Sequence, residues 1–179
     1  TYDLATDSGV DGFVETLGLP AEQSQKIGDA IRGVGEDGKD EFAMIAHEWA
    51  KAEKGGTIPS RMVISGHHVG SAVWGDGNGR ISWDNLQALS DAMPEAAGQV
   101  KDLHLSACYS GGDSKFQKYQ GIFPNVKTIW AYSGSAPGTG SGATHHQAAW
   151  ERATRGGGTN VAGTAERLVD RGWRKAENI

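Results

Sequence analysis

The chain predicts an α/β domain of three layers around a mainly parallel central sheet, and three observations carry that expectation. Two short apolar runs, RMVISGHHVG at 61–70 and DLHLSACYSGG at 102–112, read as buried strands that each break into small residues. The helical stretch between them makes a strand, crossover helix, strand unit, and such units are parallel and right-handed. A third apolar run, NVKTIWAYS at 125–133, comes after a short helical stretch at 114–120 and extends the same sheet.

The elements follow in order. Residues 1–20 are mixed and Gly-rich and read as an edge strand with loops. Pro20 opens a helix running to about Gly33, with Ile27, Ala30, Ile31 and Val34 on one face. A second helix spans about Lys39 to Lys54, where Phe42, Ile45, Ala46, Trp49 and Ala52 recur at threes and fours until Gly55 and Gly56 end it. After Pro59 comes the strand 61–65 and an SGHH turn. The segment 71–83 reads as a hairpin with its Gly-rich tip at 75–79. Its DGNGRI string has its glycine and acidic residues at the wrong offsets for a calcium loop. Asp84 is expected to cap the next helix in a box with Gln87, burying Leu86, Leu89 and Met93, with Pro94 and Gly98 at its end. Beyond the third strand, 134–144 is a Gly/Ser/Pro loop, followed by helices at about 145–155 and 160–175.

Composition limits what such a domain does. At 179 residues and 18.9 kDa one core is expected, so 1–179 is a single domain. It divides into a helical part at 1–60, a core at 61–135 and a loop with C-terminal helices at 136–179. The net charge of −5, with no Lys/Arg run, gives no footprint for nucleic acid or an anionic membrane. No stretch reaches membrane-spanning length, and no signal-peptide pattern is visible, which leaves the compartment open between cytoplasm and delivery as an effector. One cysteine forms neither an internal disulfide nor a thiolate zinc site. Cys108 is therefore either a buried small hydrophobe or a nucleophile.

The surroundings of Cys108 bear on both readings, and a lone cysteine at a strand end is more often structural. A thiol attacks a carbonyl as thiolate, so it needs an imidazole to take its proton and backbone N–H groups to hold the oxyanion. Ala107 before Cys108 and Ser110, Gly111 and Gly112 after it allow a substrate backbone to come close. The histidine turn is built alike, with Ser65 and Gly66 before His67 and Gly70 after Val69. Two parallel strands would bring these turns side by side at the carboxyl end of the sheet, where open α/β sheets place their chemistry. The other histidines read differently. His104 fits a hydrogen-bonded core group, His145 and His146 lack further spaced metal ligands, and His47-Glu48 lacks the second histidine of a metalloprotease helix. Trp49, Trp130, Trp150 and Trp173 fall at core spacing.

A strand ending in Ser-Gly-His, a hairpin with Gly-Asp-Gly, a helix, and a strand ending in Ser-Ala-Cys-Tyr-Ser-Gly-Gly resemble the clan CD cysteine peptidases, which share the caspase-like fold. The likeness covers roughly residues 61–135. It implies a caspase-like three-layer α/β/α sandwich with Cys108 as nucleophile and His67 as the catalytic histidine. The residue after that histidine supplies an oxyanion N–H in the family and is usually glycine; here it is His68, with Gly66 beside it as a further candidate. Neighbouring strand residues face opposite ways, so His67 and His68 cannot both serve Cys108, and the doubling leaves open which one acts. Where metacaspases carry an acidic residue two before the cysteine this chain has Ser106, so a preference for Arg or Lys is not implied. Ser106 and the loop residues Ser133, Gly134 and Ser135 are the substrate-binding candidates. No cofactor is implied and no metal site; calcium, used by some relatives, would fall to Asp76 and Asp113. The expected function is that of a cysteine endopeptidase acting on a protein or peptide through a Cys-His dyad and an acyl-enzyme. The alternatives are a catalytically silent caspase-like binding or regulatory module, and a thiol-dependent acyltransferase or other hydrolase.

Overall fold

The computed structural model describes the backbone of residues 1–69, 72–74, 80–137, 142–162, 164 and 177–178, and the side chains of these except at 67–69, 72–74, 80 and 177–178. The protein is mixed α/β. Its main sheet has the strand order β1 (Arg61–Ser65), β5 (Asp102–Ser106), β6 (Thr128–Ala131), β7 (Glu177–Asn178). The first three are parallel and β7 runs antiparallel to β6. Register is direct: Arg61 pairs with Asp102 and Ser65 with Ser106.

Strand alternation separates the two faces of this sheet. Leu103, Leu105, Ile129 and Ala131 point into the main core, which also takes Met62 and Ile64 at its margin. That core is roofed by α1 (Asp7–Glu15), α2 (Ala21–Arg32), α3 (Lys39–Glu53), α4 (Trp83–Ala92), α5 (Pro94–Gln99) and α6 (Asp113–Ile122). The order β1-β5-β6 steps one way across the sheet, and right-handed crossovers that step one way all lie on one face. The opposite face carries His104, Trp130 and Tyr132, and is covered by α7 (Ala143–Thr154) through Ala149 and Trp150. No helix among the described residues is long and apolar enough to cross a membrane.

The structure departs from the sequence expectation at several places. Residues 7–15 form a helix rather than an edge strand with loops: Thr6 Oγ1 accepts the Gly9 N–H at 3.0 Å, and Val10 and Val14 are buried. The SGHH segment is not a simple turn, because β2 (His67–Val69) pairs antiparallel with β3 (Ala72–Trp74). β3 pairs with β4 (Arg80–Ser82), so the expected hairpin is the outer part of a three-stranded meander, with the tip at 75–79 outside the described residues. Pro94 opens α5 instead of closing α4. Of the expected helix at 160–175, and of Trp173 and Asp76, little or nothing lies within the described residues.

The cap of α4 also moves. Ser82, not Asp84, is the N-cap, and its partner is Asn85 rather than Gln87: Ser82 Oγ accepts the Asn85 N–H at 3.1 Å while Asn85 Oδ1 accepts the Ser82 N–H at 2.8 Å. Losing a side chain that satisfies an orphan helix N–H costs about 1 kcal/mol. Ser82→Ala should therefore lower the thermal midpoint by about 3 °C, and Asp84→Ala should leave it within about 1 °C of wild type. Differential scanning calorimetry of the two variants separates the caps.

Candidate functional site

The parallel pairing of β1 with β5 builds the site from the backbone up. Ser65 and Ser106 are partners at the strand ends, and the ladder continues one step further, with the Gly66 N–H donating to the Ser106 carbonyl at 3.2 Å. His67 and Cys108 each follow two residues after a member of that pair, so both chains leave the sheet at the same carboxyl edge. Gly66 has φ 148°, a value that suits glycine and lets the chain turn from the main sheet into β2. The side chains of His67 and His68 lie outside the described residues, and only their backbone is placed, opposite Trp74 and Val73.

Cys108 is half-buried at the head of a tight turn. Tyr109 takes the left-handed conformation at φ 54°, alone among described non-glycine residues, and is 57% exposed. A bulky residue pays for that conformation only where surrounding bonds impose it, and here they do. The Tyr109 N–H donates to the Gly134 carbonyl at 2.8 Å, and Lys115 Nζ donates to the Tyr109 carbonyl. The Gly111 N–H donates to the Tyr132 carbonyl at 2.9 Å. Ser110, fully buried, donates from Oγ to the Leu105 carbonyl at 3.1 Å and accepts the Tyr132 N–H at 3.3 Å. Gly112 then turns at φ 121° into α6. The thiol itself has a main-chain partner: the Ala136 N–H lies 3.3 Å from Cys108 Sγ.

The sequence candidates divide accordingly. Gly134 is brought against the cysteine turn, whereas Ser133 and Ser135 are exposed on either side of it and Ser106 is half-buried at the strand end. Ser110, Tyr132 and Ala136 were not among the candidates, yet they are the groups that hold the turn and the sulfur. Their sequence signal is weak, because the loop that supplies two of them lies more than twenty residues downstream of Cys108 and announces itself only as small residues after a buried strand.

Behind the turn, on the α7 face, lies a buried polar cluster. His104 is 1% exposed, with Nδ1 at 2.7 Å from Gln147 Oε1 and Nε2 at 3.2 Å from the Tyr132 hydroxyl. The same hydroxyl accepts from Trp130 Nε1 at 3.2 Å and meets His146 Nδ1 at 3.1 Å. Burial pushes the His104 imidazole down to about 4, lowers His146, and raises the Tyr132 phenol far above its usual range. His104 is thus the hydrogen-bonded core group its strand position implied, and His146 is committed to the same cluster. Among the described residues no group of His, Cys, Asp and Glu is arranged to hold a metal ion.

Grooves exist elsewhere on the surface. One of about 430 Å³ is lined by Pro59, Ser60, Arg61, Gln147, Trp150 and Glu151 along β1, an edge strand among the described residues. Its lining carries the Ser60 hydroxyl but neither a cysteine nor a histidine, whereas at the Cys108 turn a thiol and a histidine segment leave adjacent strands.

Compared with protein-family models, curated proteins and solved structures, the chain matches none.

Proposed function

We propose that the protein is a caspase-like cysteine endopeptidase, with Cys108 as nucleophile and His67 as the histidine that shuttles the proton. One observation supports this reading above the others: the Ser65–Ser106 pairing in parallel strands sends the histidine segment and the cysteine turn out of adjacent positions at one sheet edge. Antiparallel pairing, or a Cys108 sealed in the core, would have left the two residue types unable to meet.

In this reading the imidazole takes the thiol proton and the sulfur attacks the scissile carbonyl carbon. The carbonyl oxygen then carries the charge of the tetrahedral intermediate and needs N–H donors in place beforehand. The Tyr109 and Gly111 N–H groups are already spent on Gly134 and Tyr132. The family likeness gives the oxyanion to the N–H of Cys108 and that of His68. Collapse of the intermediate expels the amine, which leaves with the proton held by the imidazolium, and forms the Cys108 thioester. Water, deprotonated by the same imidazole, releases the acid and restores the thiol. The Cys–His pair acts as a dyad and no cofactor takes part. The exposed Ser133 and Ser135, with Gly134 between them, border the cysteine turn where a substrate chain would lie, and Ser106 stands at the strand end beneath it. The substrate is a protein or peptide.

Thiol chemistry tests the reading before any substrate is known. Cys108 is the sole cysteine, so intact-protein mass spectrometry after a brief iodoacetamide exposure reports on it alone. Native protein should label within minutes near neutral pH, and His67→Ala should slow it about tenfold or more. Labelling that occurs only after denaturation would replace the peptidase with the silent binding module.

A further inference from the structure

We infer that Tyr132 is a positioning residue for Cys108, its hydroxyl being the point through which α7 fixes the geometry of the nucleophile turn. The consequence for reactivity rests on the peptidase reading; the consequence for the turn does not.

The partners in the buried cluster fix the direction of each of its hydrogen bonds. The Glu151 carboxylate only accepts, so the Gln147 amide nitrogen, 3.0 Å from Glu151 Oε1, fixes which way that amide faces. Gln147 therefore presents its oxygen to His104, and His104 Nδ1 must carry the proton. A neutral imidazole has one N–H, so His104 Nε2 is a bare acceptor and the Tyr132 hydroxyl donates to it. That uses the only hydrogen of the hydroxyl. His146 Nδ1 must then donate to the Tyr132 oxygen, as Trp130 Nε1 does. These assignments follow from donor and acceptor counting, and they leave one consistent arrangement in which α7 grips Tyr132 from His146 directly and from Gln147 through His104.

The main chain of the same residue faces the other way. Its carbonyl holds the Gly111 N–H and its N–H reaches Ser110 Oγ, whose hydroxyl ties back to Leu105 in β5. Two residues on, Gly134 holds the Tyr109 N–H, and four residues on, Ala136 faces the sulfur. A rotation of Tyr132 would move every one of these bonds together. The left-handed Tyr109 has a largely exposed ring, so its conformation rests on this clamp together with the Lys115 ammonium at its carbonyl. A hydroxyl buried behind the sheet thereby sets the turn in front of it.

Tyr132→Phe keeps the ring and removes the tie. Hydrogen exchange read by mass spectrometry should show the segment 107–112 exchanging at least tenfold faster, at a temperature where the variant is fully folded, with β1 and α3 unchanged. Iodoacetamide labelling of native Cys108 should slow several-fold in the same variant. A lowered melting temperature with wild-type exchange at 107–112 would mean that the hydroxyl merely stabilises the core, and would overturn the inference. Should Tyr132→Phe fail to fold, His146→Phe removes one tie from α7 and should give the same local rise in exchange, while His146→Asn, which keeps an N–H near the Nδ1 position, should restore protection. Equal protection in the two His146 variants would again overturn it. If wild-type Cys108 proves unreactive, the peptidase reading falls, and the exchange result alone still decides the role of Tyr132.

Discussion

Cys108→Ala should abolish the proposed peptide hydrolysis, with a loss of roughly 10⁴-fold or more in kcat, because it removes the sulfur that forms the acyl intermediate. His67→Ala should cost about 10²–10⁴-fold, the usual worth of a positioned general acid and base. His68→Ala should retain a measurable fraction, since that residue is asked only for its backbone N–H, which alanine keeps. The measurement is turnover on a peptide library with each purified variant, together with its far-ultraviolet circular dichroism to show that the fold persists. A reversed ranking of the histidines would move the catalytic position by one residue. Full activity in Cys108→Ala would remove the peptidase reading altogether.

The backbone of this arrangement was legible in the sequence because it is local. β1 coincides with the expected strand 61–65, and β5, α2, α3, α6 and α7 fall within a few residues of their expected bounds. Buried runs with abrupt small-residue ends mark themselves, and so does a helical stripe such as Phe42, Ala46, Trp49 and Ala52. α1 was hidden by glycines read as loop formers. Gly9 is there for close approach instead: a Cβ at that position would stand 1.7 Å from the Asp3 carbonyl oxygen. The three-residue β2 had no sequence signal of its own, because its pairing with β3 is what makes it a strand. The capping box went to the wrong serine-like position for a related reason. Ser82 ends β4 and caps α4 at once, and a residue shared by two elements is hard to assign from either pattern alone.

The site was legible as residue types and not as a geometry. Cys108 and the two histidines stand out by their small neighbours, but the bonds that shape the turn come from 132–136, and a main-chain acceptor such as the Gly134 carbonyl leaves no trace in residue identity. The buried cluster shows the same limit. His104 alternates with Leu103 and Leu105 on a strand, which placed it on one face of the sheet, yet its partners Gln147 and Tyr132 come from elements that follow it by 43 and 28 residues.

Acid should unfold the protein through that cluster, and the sign follows from the two states of His104. In the unfolded chain its imidazole binds a proton below about 6.5; in the native protein it stays neutral down to about 4, chiefly because it is buried, and next because the neighbouring His146 on α7 opposes a second charge, with Gln147 and the more distant Glu151 carboxylate pulling the other way. Between those values the unfolded state holds the extra proton, so stability is fully present above pH 6.5 and is lost as pH falls toward 4. At the standard conversion the window is worth about 3 kcal/mol, a large share of the 5–15 kcal/mol typical of a folded domain, and burial of His146 adds a loss of the same sign. Protonation at His104 Nε2 also takes away the acceptor of the Tyr132 hydroxyl hydrogen inside the core. Urea titrations at pH 7, 5.5 and 4.5 should therefore give steeply falling midpoints for wild type. His104→Gln has no titrating group at that position and should start less stable but fall less steeply over the same range. Parallel slopes for the two proteins would show that His104 is not the proton-binding group, and that acid acts through the carboxylates instead.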